Sequence, residues 1–574
     1  MKRLSIAECP NPYFARPTTF SLNGLWHFAI TKDEKSPAEY TKDILVPFAP
    51  ETPKSGINQP VEVDDVLHYE LVITDAPEDV GGKAAIIHFS AVDQIADVYW
   101  NDQHVAHHEG GYIPFSVQID HLTNGDRIHV VVRDDTDSDV YPRGKQVRKP
   151  GTIWYTATSG IWGDVYVEYV EPASLIESIR LIPNPGSKSL KVEYDGKETA
   201  AVEIYFQGGL VAKESLKPDA ENLIDLSENF HVWSPDSPNL YDVIAKTKGD
   251  EIHSVFGFRT VSVFAHNGKK LVGLNGGPIF VNALLDQGYY SPETGMTPPD
   301  ASTMENELLL VKRFGFNALR KHIKIEPLRW YYLCDKLGIL VIQDMVNAGE
   351  QVSSFRLVVA PFIKLRVNDE NHKKMGRANP QSREFFEKSI SQTTNLLQPS
   401  CSLIAWTLFN EGWGQYDAVR LTGVLRGLDS TRLIDSTSGW FDKGVGDFDS
   451  HHVYFRRPRL HNDGERILSL SEYGGFSWPI AEHKTTKKNF GYAIYHDQES
   501  LFKAFKKCFL AHVLPLVEHE GLSVAVLTQW SDVEAETNGL ITYDRVVTKI
   551  PPEQFKPLND ALYEAFDAQF KGKE

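Results

Sequence analysis

Cysteine is scarce in this sequence. Four occur in 574 residues, Cys9, Cys334, Cys401 and Cys508, with no C-x-x-C and no paired spacing. That excludes a disulfide framework and a structural zinc site as the source of the fold. Cys334 and Cys401 lie among apolar residues and read as buried thiols. Positive charge is also in deficit: 59 Lys and Arg against 77 Asp and Glu leave a net charge of −18, which argues against a nucleic-acid partner. No run approaches the ~18 apolar residues of a membrane span. The opening Met-Lys-Arg-Leu-Ser-Ile-Ala-Glu-Cys-Pro has basic residues but no apolar stretch of the signal-peptide kind. The expectation is a cytoplasmic chain that binds neither membrane nor nucleic acid and whose substrate is small enough to be imported.

What is present is an ordinary globular composition, 41% apolar and 24% charged, over a length that fits three domains. Residues 1–170 alternate with the period of two expected of half-buried strands: Ala96, Val98 and Trp100 on one face, Asp97 and Tyr99 on the other. Ile128, Val130 and Val132 repeat the pattern, Val165, Val167 and Tyr169 close it, and Asn124-Gly125 marks a tight turn. This segment predicts a jelly-roll β-sandwich. Residues 171–265 hold shorter strands separated by Gly, Pro and Asn turns, and their length suits an immunoglobulin-like sandwich serving as a spacer.

From 266 to 574 the pattern becomes strand–helix alternation. Eight apolar segments each run into polar residues: Ile279–Asp286, Phe316–Arg320, Ile339–Asp344, Leu403–Glu411, Arg432–Ser436, Asp449–Tyr454, Ile467–Glu472 and Val524–Trp530. Between them, Ser302 and Glu305 have the spacing of a capping box ahead of a helix that Gly315 ends. Pro327 opens a helix that Gly338 closes, and Leu421, Val424, Leu425 and Leu428 form one apolar stripe of another. Eight such units predict a C-terminal (β/α)8 TIM barrel with its chemistry at the C-terminal strand ends. Those ends carry Asp286, Arg320, His322, Asp344, Asn410, Glu411, His452, Glu472 and Trp530.

Two of these residues, Glu411 and Glu472, end the fourth and seventh apolar segments. A pair of carboxyls across a barrel mouth is what glycosidic hydrolysis needs: one protonates the leaving oxygen, the other attacks or stabilises the developing cation. His451 and His452 are adjacent on a strand, so both cannot face one metal ion. Neither a metal nor a cofactor is expected, because no clustered ligands fall on one face.

At these residues the chain resembles glycoside hydrolase family 2. Leu22-Asn-Gly-Leu-Trp-His-Phe28 and Thr158-Ser-Gly-Ile-Trp-Gly-Asp-Val165 look like the first and last strands of the family's sugar-binding jelly roll. Asn317-Ala-Leu-Arg-Lys-His322 and Cys334-Asp-Lys-Leu-Gly-Ile-Leu-Val-Ile-Gln-Asp344 are similar to its second and third barrel strands, and Asn410-Glu411 and Ser471-Glu-Tyr-Gly-Gly475 to its acid/base and nucleophile motifs. The resemblance implies a retaining exo-β-glycosidase with Glu472 as nucleophile and Glu411 as acid/base. It further implies Asn410 on the sugar 2-hydroxyl, Tyr454 orienting the nucleophile, Trp530 as the aromatic floor of the subsite, and His322, His452, Arg320 and Asp344 lining the pocket. Arg320 reads equally as a barrel-mouth ion pair, and Trp530 also as a core residue.

A small carbohydrate is the expected partner, and homo-oligomers are common in the family. Its β-glucuronidases carry an Asn-x-Lys pattern that grips the uronate. No such pattern lies in Ser531-Asp-Val-Glu-Ala-Glu-Thr-Asn-Gly539, and Asn267-Gly-Lys269 precedes the barrel, where it reads as a hairpin turn. That favours a neutral, β-galactoside-like glycone, with β-glucuronide, β-mannoside and arabinoside as alternatives, and a non-catalytic sugar-binding protein as the rival from another class. Arg143-Gly-Lys-Gln146, on a jelly-roll loop, reads either as a solvated turn or as a segment reaching the barrel mouth.

Overall fold

The computed structural model describes residues 1–350, 367–454 and 456–571. The alternation of the first 170 residues becomes two packed sheets. One has five strands in the order Lys2–Arg3, Thr19–Ser21, Val165–Val170, Ala84–Phe89 and Phe115–Ile119; the other has six, Lys42–Val46, Gly24–Thr31, Val66–Val72, Arg127–Arg133, Ile95–Trp100 and Gln103–Glu109. The inward set, including Val98, Ile128, Val130, Val132, Val165 and Val167, forms the sandwich core. A second sandwich pairs a three-stranded sheet (Ile176–Asn184, Ser189–Gly196, Asn222–Asp225) with a four-stranded one (Gly209–Leu216, Ala200–Phe206, Tyr241–Lys246, Glu251–Phe256) around its own core. Its last strand ends at Phe256. Strand Val261–His266 already pairs with Lys269–Leu274 in the barrel sheet, so a boundary at 265 cuts a hairpin and the junction lies at 257–260. Asn267 and Gly268 form its turn, at φ +48° and +76°, the left-handed pair that a two-residue hairpin requires.

The eight apolar segments fold as β1 Val281–Asp286, β2 Ala318–Lys321, β3 Leu340–Asp344, β4 Leu403–Asn410, β5 Leu433–Ser438, β6 Phe448–Val453, β7 Ile467–Gly474 and β8 Val524–Thr528. Parallel ladders join β1 through β5 in order, β6 to β7, β7 to β8, and β8 back to β1. Between β5 and β6 a single backbone bond, Asp447 N to Ile434 O at 2.8 Å, spans the seam. Strands such as β1, β3, β4 and β8 are buried along their whole length because helices cover the outside and side chains fill the inside.

Two local readings change. Helix α1, Ala301–Arg313, is capped by Asp300, whose carboxylate accepts from Thr303 N at 2.7 Å, while Glu305 pairs with Lys336. Aspartate supplies a charged acceptor to the helix N-terminus and displaces the expected Ser302 box. Helix α2, Leu328–Leu337, ends on Gly338 at φ +69°. In the helix Ala418–Leu428 the buried face is Ala418, Leu421, Thr422 and Leu425, and Val424 and Leu428 are exposed.

Candidate active site

At the C-terminal end of β2, Arg320 organises the barrel mouth. Its guanidinium donates from Nε and Nη2 to the two Asp344 oxygens, at 2.9 and 3.0 Å. It also donates from Nη1 to Glu472 Oε1 at 3.2 Å and from Nη2 to Asn410 Oδ1 at 2.8 Å. A planar fork satisfies this many oxygens at fixed angles, which an ammonium does not. Arg320 is 1% exposed, and its donors are engaged by Asp344, Glu472 and Asn410. It holds Glu472 and Asn410 in place, and Asp344 fixes its fork. With its Oδ1 turned to Arg320, Asn410 keeps its amide N–H donors without a partner among the described residues.

Glu472 lies inside β7, opposite His452 of β6, rather than beyond the strand end; the register shifts between Leu470 and Tyr473, and a bulge there re-aims the side chain. The Tyr454 hydroxyl donates to Glu472 Oε2 and stands 3.2 Å from Thr528 Oγ1. Burial pushes the Glu472 carboxyl up, but His452, Arg320, His322 and the Tyr454 hydrogen bond outweigh it and hold its pKa below the ordinary value. Burial likewise raises Asp344, and Arg320 and His322 bring it down to about 2. His322 shares a 2.6 Å hydrogen bond with Asp344 through Nδ1, and its Nε2 has no partner among the described residues.

Glu411 follows β4 immediately and sits at φ +52°, a left-handed conformation uncommon for a residue with a side chain. Its amide donates to Ser438 O at 2.9 Å. His452 stands between the two carboxylates: Nδ1 is 2.8 Å from Glu411 Oε1, and Nε2 is 3.1 Å from Ser438 Oγ and 3.6 Å from Glu472 Oε1. Ligand-type atoms of Glu411, His452 and Glu472 all lie within 4.8 Å of one another. The expectation that no metal-type ligands share a face is corrected by this cluster, although His451 points away to Asp449. His452 already commits both ring nitrogens, to Glu411 and to Ser438, so a cation would have to displace hydrogen bonds.

Trp530 does not form a subsite floor. It is 1% exposed, donates from Nε1 to Glu307 of α1 at 3.0 Å and packs edge-on against Phe314. An indole N–H needs an acceptor when buried, and Glu307 draws the ring toward the helix layer. Half-buried aromatics unforeseen in the sequence stand nearer the carboxylates: Trp440 6.5 Å from the His452 ring and Tyr492 stacked on Tyr454 at 3.8 Å. The loop 141–156 of the jelly roll reaches the mouth. Arg143 N donates to Asn347 O at 3.0 Å, its guanidinium donates to Ser138 O, and Tyr155 donates its hydroxyl to buried Glu536 after β8. Arg143 therefore fastens the loop, and the Lys145 ammonium beside it lies over the Trp154 ring.

Residues 271–468 match the family model described as glycosyl hydrolases family 2, TIM barrel domain, and residues 176–259 match glycosyl hydrolases family 2. The chain belongs to glycoside hydrolase family 2. The barrel match contains Arg320, Asp344, Asn410, Glu411, His452 and Tyr454 and stops four residues before Glu472. The chain is 25% identical over 442 residues to a β-galactosidase of Thermoanaerobacter pseudethanolicus, covering 72% of this chain and 55% of that one. It is 24% identical over 377 residues to a putative β-glucuronidase of Formosa agariphila, covering 62% and 33%. This family 2 chain thus spans about half or less of those relatives' lengths. The fold is shared with the solved structure of a β-D-glucuronidase from Dictyoglomus thermophilum, at TM-score 0.72 and 18% identity over 95% of this chain and 96% of that one. Among the described residues no helix is long and apolar enough to cross a membrane.

Proposed function

We propose that this family 2 protein is a retaining exo-β-glycosidase that releases a terminal sugar by double displacement. The observation that carries the reading is the closeness of the two carboxylates, with oxygens of Glu411 and Glu472 within 4.8 Å. Retaining pairs stand about 5–5.5 Å apart, whereas an inverting pair needs about 6.5–9.5 Å to admit a water. Glu472, kept ionised by Arg320 and His452 and aimed by Tyr454, attacks the anomeric carbon. Glu411 gives its proton to the departing oxygen, then takes one from the water that hydrolyses the glycosyl-enzyme. Asn410, oriented by Arg320, donates to the 2-hydroxyl, a contact that strengthens as the ring becomes cation-like.

The relatives' names support both a β-galactoside and a β-glucuronide as substrate. The test is a panel of aryl β-glycosides: galactoside, glucoside, glucuronide, galacturonide, mannoside, fucoside and α-L-arabinopyranoside. Turnover of at least one, abolished in Glu472→Gln, is expected. Binding of sugars with no turnover of any would contradict the enzyme reading and leave a sugar-binding protein. Activity unchanged by a chelator is expected as well; loss restored by a divalent cation would assign the Glu411–His452–Glu472 cluster to a metal.

A further inference from the structure

Buried lysines of the barrel come with carboxylates. Lys321 pairs with Asp286 and Glu326, Lys324 with Glu326, and Lys549 with Asp532, all at 3.0 Å or less. Lys145 departs from this pattern. It is 8% exposed, and its ammonium has neither an ion pair nor a hydrogen bond among the described residues. It rests instead over the face of Trp154, 5.3 Å from the ring centre, and Trp154 meets Trp413, two residues past Glu411, edge to face at 5.0 Å.

The backbone that carries Lys145 is clamped. Gly144 N donates to Asn347 O at 3.2 Å, Tyr155 N donates to Lys145 O at 3.0 Å, and a Cβ at Gly144 would meet Ile323 O at 2.6 Å. The backbone at Lys145 is therefore held at the tips of β2 and β3. The ammonium's field reaches His322 and Glu536, the same two groups that feel the charge of Glu472.

We propose that Lys145 is the residue that selects an anionic glycone, its ammonium taking the carboxylate of a uronic acid seated on Glu472. This rests on the glycosidase reading above. Leaving a buried ammonium unpaired is costly, and a sugar closing over it strips its remaining water. A hydroxymethyl group returns one neutral acceptor, whereas a carboxylate returns a charge-assisted bond. The mouth also needs such a cation to admit an acid at all. The ionised Glu472 repels one, and Arg320 is already saturated by Asp344, Glu472 and Asn410. In this chain the role that an Asn-x-Lys pattern would serve from the barrel passes to the jelly-roll domain, which overrides the neutral sugar that the missing pattern favours.

The experiment compares kcat/KM on 4-nitrophenyl β-D-glucuronide and β-D-galacturonide with the corresponding glucoside and galactoside. It uses wild type, Lys145→Met and Lys145→Arg at one ionic strength, with thermal unfolding to establish that each variant folds. Wild type should favour a uronide over its parent hexoside. Lys145→Met should lower that ratio about 100-fold, the scale of removing one partner of a buried charged pair, and Lys145→Arg should keep part of it. Turnover of any neutral glycoside with both uronides untouched by wild type would overturn the proposal, and needs no variant to fold. So would a uronide preference unmoved by Lys145→Met. Both results leave the glycosidase reading standing; silence on every aryl glycoside overturns that reading and this inference with it.

Discussion

Glu472 and Glu411 are chemically alike and are separated by their surroundings. Glu472 accepts from Arg320 and Tyr454, while Glu411 meets a histidine. Glu472→Gln, which removes the proposed nucleophile, should lower kcat by at least about 10⁴-fold, the scale of losing a nucleophile. Glu411→Ala should cost about 10²–10⁴ on poor leaving groups and far less on dinitrophenyl glycosides, which need no proton. An equal loss on both would contradict the acid role. The pH profile tests the same distinction. Because the Glu472 pKa is lowered from its ordinary 4.5, the ionised nucleophile persists as pH falls, and the acid limb of kcat/KM should lie below pH 4.5. His452 is the first-named of the groups holding it down, so His452→Gln should move that limb upward; an unmoved limb would remove His452 from the account.

At the scale of elements, strand tips and bulges do the positioning. Gly439, one residue past β5, has φ +85°, and a Cβ there would meet the His452 ring at 2.5 Å. Gly439→Ala should displace the imidazole and lower kcat/KM at least about tenfold without touching substrate, with the acid limb moving as in His452→Gln. Normal kinetics in that variant would contradict His452's place between the carboxylates. Much at this scale was legible in the sequence. Buried parallel strands read as apolar runs, and a polar residue ending such a run has little reason to be there except chemistry. What escaped depends on long-range contacts. Trp530 turned outward because Glu307, 223 residues away, accepts its N–H. Tyr155 and Glu536 come together from different domains, and no spacing within one segment encodes that. The Asp300 cap was missed because Ser302 also satisfies the capping pattern, and only geometry chooses between them.

For the whole molecule, the two sandwiches and the barrel are tied by buried charge as well as apolar contact. Arg16 donates to Asp250 at 2.9 Å and to Glu168, and its Nη2 reaches Ile176 O at 2.7 Å, joining the jelly roll to the second sandwich. Arg16→Ala leaves two buried carboxylates without their cation and should cost about 3–5 kcal/mol of stability, read by denaturant unfolding; a loss under 1 kcal/mol would show the domains held by apolar contact alone. Burial raises Glu168, but His88 and Arg16 bring its pKa from 4.5 down to about 2. A depressed carboxylate contributes stability that is present above its unfolded pKa and lost as pH falls through the folded one. The wild type should therefore lose stability between about pH 4.5 and pH 2, and Arg16→Ala should show a shallower acid slope.

The separation of Glu411 and Glu472 is on the short side that suits a retaining pair, and the stereochemistry of the first product tests that directly. Proton NMR of the anomeric signal during hydrolysis of the best aryl β-glycoside should show the β-anomer of the free sugar first, with the α-anomer growing in only by mutarotation. The α-anomer appearing first would mean inversion, and would contradict Glu472 as a nucleophile that forms a glycosyl-enzyme.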